Sequence, residues 1–269
     1  MEITIGLHSY NIPYNWNELT IKDGIKLYNF CSNNIPKGLI RKYDIMLNSN
    51  DFDNDIAEWE ENITEEDNEL FLKFIDKTIN YFTKAPFEDL EVTSEESKIN
   101  VYSTYLERYV LDILFLGVTY NPLGITKFNH KKNTYYLPSD KKIGDITIPM
   151  YDLIANQFCE VADLLALVNK GNDGFKYTPY VLAVLCLQKN EFYNEELALK
   201  RAKEFEQLPM DIVWEVFFCL IVSTHIQQKD LYSYLEAQKE IKEYPQAITL
   251  GQSSYWTYTL SRTIPFHWN

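Results

Sequence analysis

Histidine, cysteine and glycine are scarce in this chain, and each scarcity removes a class of chemistry. There are four His, four Cys and nine Gly in 269 residues. His8, His130, His225 and His267 have no second His, and no Cys, at ligand spacing on a helix face, so the sequence announces no zinc site. Cys31, Cys159, Cys186 and Cys219 form no Cys-x-x-Cys pair and sit among apolar or helical neighbours, which predicts reduced, buried thiols in a cytosolic protein. No Gly-x-Ser-x-Gly elbow is present, and Gly171-Asn172-Asp173-Gly174 lacks the Lys-Ser or Lys-Thr of a phosphate loop. Long apolar runs are missing too. The two most apolar stretches, 110–118 and 212–222, are interrupted by Asp112 and Glu215, and a membrane span needs about 20 apolar residues. The opening Met1-Glu2-Ile3-Thr4 has neither the basic region nor the apolar core of a signal peptide. No metal, cofactor or membrane is expected.

Positive charge is also in deficit. The 25 basic side chains face 39 acidic ones, a formal charge of −14, and such a field repels phosphate backbones. Lys127, Lys131, Lys132, Lys141 and Lys142, around His130, Tyr135 and Tyr136, are the one dense basic group, and they read as a solvated, hairpin-like loop. Residues 43–72 hold eleven acids and no Lys or Arg, predicting a solvated loop that leads into a helix. Asp51, Asp53 and Asp55 imitate the start of a calcium loop, but Ile56 and Asn62 stand where that loop needs its Gly and its bidentate Glu. Asp112 and Glu215 are the carboxylates to watch for acid–base chemistry. An exposed stripe, or a Lys or Arg partner, is the more ordinary place for them.

What the chain has is apolar and aromatic substance. Apolar residues make up 46%, with 20 Tyr and 15 Phe, enough for a sizeable core and for aromatic contact surfaces. Short extended segments at 3–7 and 10–13 precede a helix capped by Thr20 with Asp23. Thr64 caps a second helix to about Thr83, with Leu70, Phe71, Phe74, Ile75, Thr78 and Phe82 as its buried stripe. Residues 91–97 read as a loop, and 99–117 as a helix burying Tyr102, Leu106, Val110, Ile113 and Leu114. Asn121-Pro122-Leu123-Gly124 predicts a turn, and 125–137 a β-hairpin around 129–133. Helices follow over 149–168, over 180–188 behind an N-capping Thr178 and Pro179, over 195–207 capped by Asn194, and from Pro209 onward. The fold class is therefore α+β, predominantly α-helical, with short β-hairpins before the helices of each half. A boundary near residue 122 gives an N-terminal half, 1–122, and a C-terminal half, 123–269. Tyr10-Asn11-Ile12-Pro13 with Leu19-Thr20-Ile21, set against Tyr135-Tyr136-Leu137-Pro138 with Ile146-Thr147-Ile148, reads either as an internal duplication offset by about 125 residues or as chance likeness of short, common elements.

Two segments carry a family likeness. Tyr10-Asn11-Ile12-Pro13, followed by Trp16-Asn17-Glu18-Leu19-Thr20, resembles the start of tail-assembly-chaperone-like and tail-associated proteins of tailed bacteriophages. Tyr180-Val181-Leu182-Ala183-Val184-Leu185, Glu191-Phe192-Tyr193, and Arg201-Ala202 through Leu208-Pro209-Met210 look like a helical block in phage proteins from Bacteroidota hosts. Together they span about a third of the chain, which departs from that block at Leu187-Gln188-Lys189. The resemblance implies a non-enzymatic protein that contacts other phage structural proteins in the virion, as a tail or head–tail component assembled in the host cytoplasm. Such components form homo-oligomeric rings through head-to-tail interfaces. A soluble tail-assembly chaperone, or an enzyme with an unfamiliar active site, are the alternatives. Trp59 in the acidic run, and Tyr255, Trp256, Tyr258, Phe266 and Trp268 in the aromatic C-terminal segment, are the candidate protein contacts.

Overall fold

The structure, a computed structural model, describes residues 1–49, 51–115, 117–138, 141–143, 146–148, 157, 160, 161 and 174–217. The fold is α+β and mostly helical, with three small antiparallel sheets among the described residues. The chain divides into two compact units, Met1–Tyr120 and a second beginning at Asn121.

The first unit opens with a hairpin, β1 (Glu2–Ile5) and β2 (His8–Asn11), in register Ile5↔His8. Its two-residue turn is tighter than the longer extended segments expected, and Gly6 makes it possible. The backbone there has φ 60°, and a Cβ would lie 3.0 Å from both the Asp89 carbonyl oxygen and Val92 Cγ2. Period-two alternation sends Ile3 and Ile5 into the core while Thr4 faces out. After a short 3-10 turn at Trp16–Glu18 come α1 (Ile21–Asn34), α2 (Lys37–Asn48), α3 (Phe52–Glu61) and α4 (Glu65–Thr83). Both expected capping boxes form: Thr20 and Thr64 accept from the backbone amides of Asp23 and Asp67, whose carboxylates bond back to the cap amides.

The acidic run is more ordered than the loop expected. Asp53 and Asp55 lie in the first turn of α3, where carboxylates complement the positive end of the helix. On α4 the buried positions are Phe74, Ile75, Thr78 and Ile79, whereas Leu70 is 43% exposed. The inward stripe lies further along the helix than the pattern predicts.

Next come α5 (Phe87–Glu91), α6 (Glu95–Val101), a π-helical turn at Tyr102–Leu106 and α7 (Glu107–Leu114). The loop expected at 91–97 is interrupted, because Ser94 accepts from the amide of Ser97 and starts α6 at Glu95. The predicted face holds for Tyr102, Leu106, Val110 and Ile113, all buried; Leu114 is half-buried.

In the second unit β3 (Lys127–His130) and β4 (Asn133–Tyr136) form the expected hairpin, turning at Lys131 with φ 54°. A separate pair, β5 (Lys141–Ile143) with β6 (Ile146–Ile148), is also antiparallel. Gln157, Glu160 and Val161 are helical, and the rest of the helix expected over 149–168 lies outside the described residues. A 3-10 turn at Gly174–Tyr177 makes Tyr177, not Thr178, the cap of α8 (Thr178–Leu185). That helix stops before the expected Gln188, because Leu187–Gln188 pairs as β7 with Tyr136 and Tyr135. Asn194 caps α9 (Glu195–Phe205) as expected, and α10 covers 210–217. Among the described residues no helix is long and apolar enough to cross a membrane.

Candidate contact site

Burial sorts the ionisable groups into those spent on the fold and those presented outward. Asp112 and Glu215 were expected on exposed stripes or beside a base; both are buried, at 1% and 2% exposure. Asp112 accepts from Trp16 Nε1 at 2.8 Å and from the amide and hydroxyl of Thr119 at 2.6 and 2.8 Å. Burial nevertheless pushes its carboxyl up from the ordinary range, against those hydrogen bonds. Glu215 accepts from three consecutive backbone amides: Leu123, then Gly124 at 3.1 Å and Ile125 at 3.3 Å. The expected turn at 121–124 is thus a connector moulded around a carboxylate. Arg201, also buried, pairs with Glu191, donates to the carbonyls of Ala183 and Cys186, and lies 4.9 Å from the Tyr135 ring centre. These groups hold backbone in place, and their surroundings suit structure better than proton transfer.

Trp59 is placed inside its own unit. It is 8% exposed, stacks on Phe71 at 6.0 Å and donates from Nε1 to the Gly38 carbonyl at 3.0 Å. An indole packed this way anchors α3, so Trp59 is buried in its own unit where the sequence reading placed a candidate contact. Tyr255, Trp256, Tyr258, Phe266 and Trp268 lie outside the described residues. Cys31 and Cys186 are both fully buried. Among the described residues no group of three His, Cys, Asp or Glu could hold a metal ion.

The outward-facing chemistry of the first unit gathers where the β1–β2 turn meets α5. Asp89 Oδ2 accepts from His8 Nδ1 at 2.7 Å and from the Tyr10 hydroxyl. Thr93 completes the clasp, taking the Gly6 amide at 2.7 Å and donating to the Asp89 carbonyl at 2.6 Å. Sequence reading missed this cluster because its members are some eighty residues apart and each is ordinary alone. The Tyr10 and His8 hydrogen bonds hold the Asp89 carboxyl below its usual range. The carboxylate in turn pushes the Tyr10 phenol up to about 12. His8 is 67% exposed, and an imidazole oriented by a carboxylate is the arrangement of a general base. Among the described residues, however, its hydrogen-bond partner is Asp89, and no nucleophilic hydroxyl or thiol is bonded to it. Beside the cluster, large apolar side chains stand in solvent: Leu7 at 92% exposure and Val92 at 70%.

The sign of the clasp's pH dependence follows from these shifts. Asp89 is held low, so its contribution is present above the ordinary carboxylate pKa and is lost as pH falls through the lowered value. Tyr10 is held high, so its contribution is present below the ordinary phenol pKa and is lost as pH rises through about 12. Asp89→Asn is expected to return the Tyr10 phenol towards 10, as read by its ultraviolet phenolate absorbance. An unmoved titration would show that the carboxylate does not govern Tyr10.

Comparison with protein-family models, with curated proteins and with solved structures found no match.

Proposed function

We propose that this chain is a non-catalytic structural protein of a tailed phage, placed in the tail or head–tail region and working through protein–protein contacts. The observation that carries the contact reading is the division of labour between buried and exposed groups. Asp112, Arg201 and Glu215 are engaged in holding the fold. Meanwhile Leu7, Val92, Leu123 and Phe192, at 92, 70, 70 and 91% exposure, present apolar area to water. Scattered exposed apolar groups are normal on any surface, but side chains this open suit a contact face, and Leu7 and Val92 stand beside a polar cluster. The phage assignment rests on the likeness carried by residues 10–20 and 180–210.

The test is mass spectrometry of purified virions alongside light scattering of the isolated chain at several concentrations. A fixed stoichiometry in the virion, with an oligomer of defined mass, is the expected result. Presence in assembly intermediates only would move the chain to the chaperone class. Absence from both would overturn the proposal.

A further inference from the structure

We infer that the apolar face at the β1–β2 turn is one half of a head-to-tail contact whose other half is the basic β3–β4 hairpin of a second copy. The inference rests on the contact-protein reading above and names the partner for it.

Charge is divided unevenly along the chain. Residues 1–120 carry 22 acids against 10 bases, a net −12, leaving 17 against 15, a net −2, for 121–269. Around the turn this bias becomes local and combines with apolar surface. From Pro86 to Ser97 the chain has five acids and no base, with Glu88, Glu91, Glu95 and Glu96 exposed beside Phe87 and Val92. The apolar members are open: Leu7 is 92%, Val92 70% and Phe87 67% exposed. Gly6 brings Leu7 to this place, because its backbone sits against Val92 and Asp89.

The complementary surface is on the second unit. Strand alternation in β3–β4 buries Phe128 and Tyr135 and turns Lys127, Asn129 and Tyr136 outward, with Lys127 directly opposite Tyr136. Lys131 and Lys132 sit exposed at the tip, Lys131 within 3.0 Å of Glu204. Tyr136, 39% exposed, gives this hairpin its own apolar component, and Leu123, four residues before β3, is 70% exposed. One surface is acidic and the other basic, and each carries exposed apolar side chains. Like surfaces repel, so two-fold pairing through either face is disfavoured while unlike faces attract. Two different complementary patches on one chain make a heterologous contact, which generates a ring where the rotation closes and a filament where it does not.

The test is light scattering of the full chain with a charge swap. Lys127 and Lys132 are chosen, leaving Lys131 with Glu204. The wild type is expected to associate as concentration rises, and to do so less as salt rises, since exposed charges are screened beyond roughly 10 Å at 0.1 M salt. Lys127→Glu with Lys132→Glu, or Glu91→Lys with Glu95→Lys, is expected to weaken association by about tenfold, a few exposed charge pairs having been converted to repulsions. Combining all four substitutions restores it. Restoration cannot come from misfolding, so it separates the proposed contact from damage to either unit. A wild type that associates while the reversals do not weaken it overturns this inference and leaves the contact-protein reading in place. A monomer at every concentration overturns the inference as well, and detection in virions then decides the broader reading.

Discussion

Arg201→Met is expected to destabilise the second unit by about 3–5 kcal/mol, the usual range when one member of a buried ion pair is removed. The guanidinium is 8% exposed and serves four partners. It neutralises Glu191, bonds the carbonyls of Ala183 and Cys186 at 3.4 and 3.2 Å, and lies over Tyr135. Methionine fills much of the volume and supplies none of these interactions. It leaves a carboxylate with 15% side-chain exposure and two carbonyls at the end of α8 without the guanidinium. Urea unfolding followed by circular dichroism measures the loss. A change under 1 kcal/mol would mean that water satisfies those groups and that Arg201 is not the keystone of α8, β7 and α9. Double replacement of Arg201 and Glu191 by apolar residues should recover part of the stability, since no unpaired charge then remains buried.

Glu215→Gln is the second large effect, expected at about 2–4 kcal/mol. Hydrogen bonds to a charged acceptor contribute about 1.5–3 kcal/mol, and a buried donor left without a partner costs about 1–3 kcal/mol. The amides of Leu123, Gly124 and Ile125 all converge on the two carboxylate oxygens. An amide side chain offers one oxygen and turns an NH2 toward the remaining backbone donors. Hydrogen exchange of those three amides is the discriminating readout. Their protection should fall more than that of the β3–β4 ladder, whereas a uniform fall would indicate general loosening instead of a local release of the connector.

These two residues also mark where sequence reasoning reaches its limit. The capping boxes at Thr20 and Thr64 were legible because the two bonded groups lie three residues apart. The Asn194 cap was legible for the same reason, and the β3–β4 hairpin because its paired residues lie within nine positions of one another. Glu215 sits in an apolar stretch with its donors some ninety residues away. Asp112 takes its indole from Trp16, and Asp89 its phenol from Tyr10. No local pattern records such partners, so these carboxylates read as solvated, paired or unremarkable. A different failure hid the ordered part of the acidic run. Acid-rich composition resembles a loop, yet acids in a first turn stabilise a helix, and Trp59 against Phe71 gives α3 a place to pack. Strand β7 was hidden by context: Leu187-Gln188 continues a helical pattern until β4 offers it hydrogen bonds.

Cys31 gives the first unit a chemical clock. It is the one cysteine among residues 1–120, it is fully buried on α1, and burial pushes its thiol far above the range in which a thiolate forms. An alkylating reagent in solution therefore reaches the sulfur only through openings of that unit. When reclosing is faster than alkylation, the labelling rate reports the population of the open form. One native atom thus makes the opening of the first unit measurable by peptide mass without a mutation or a denaturant.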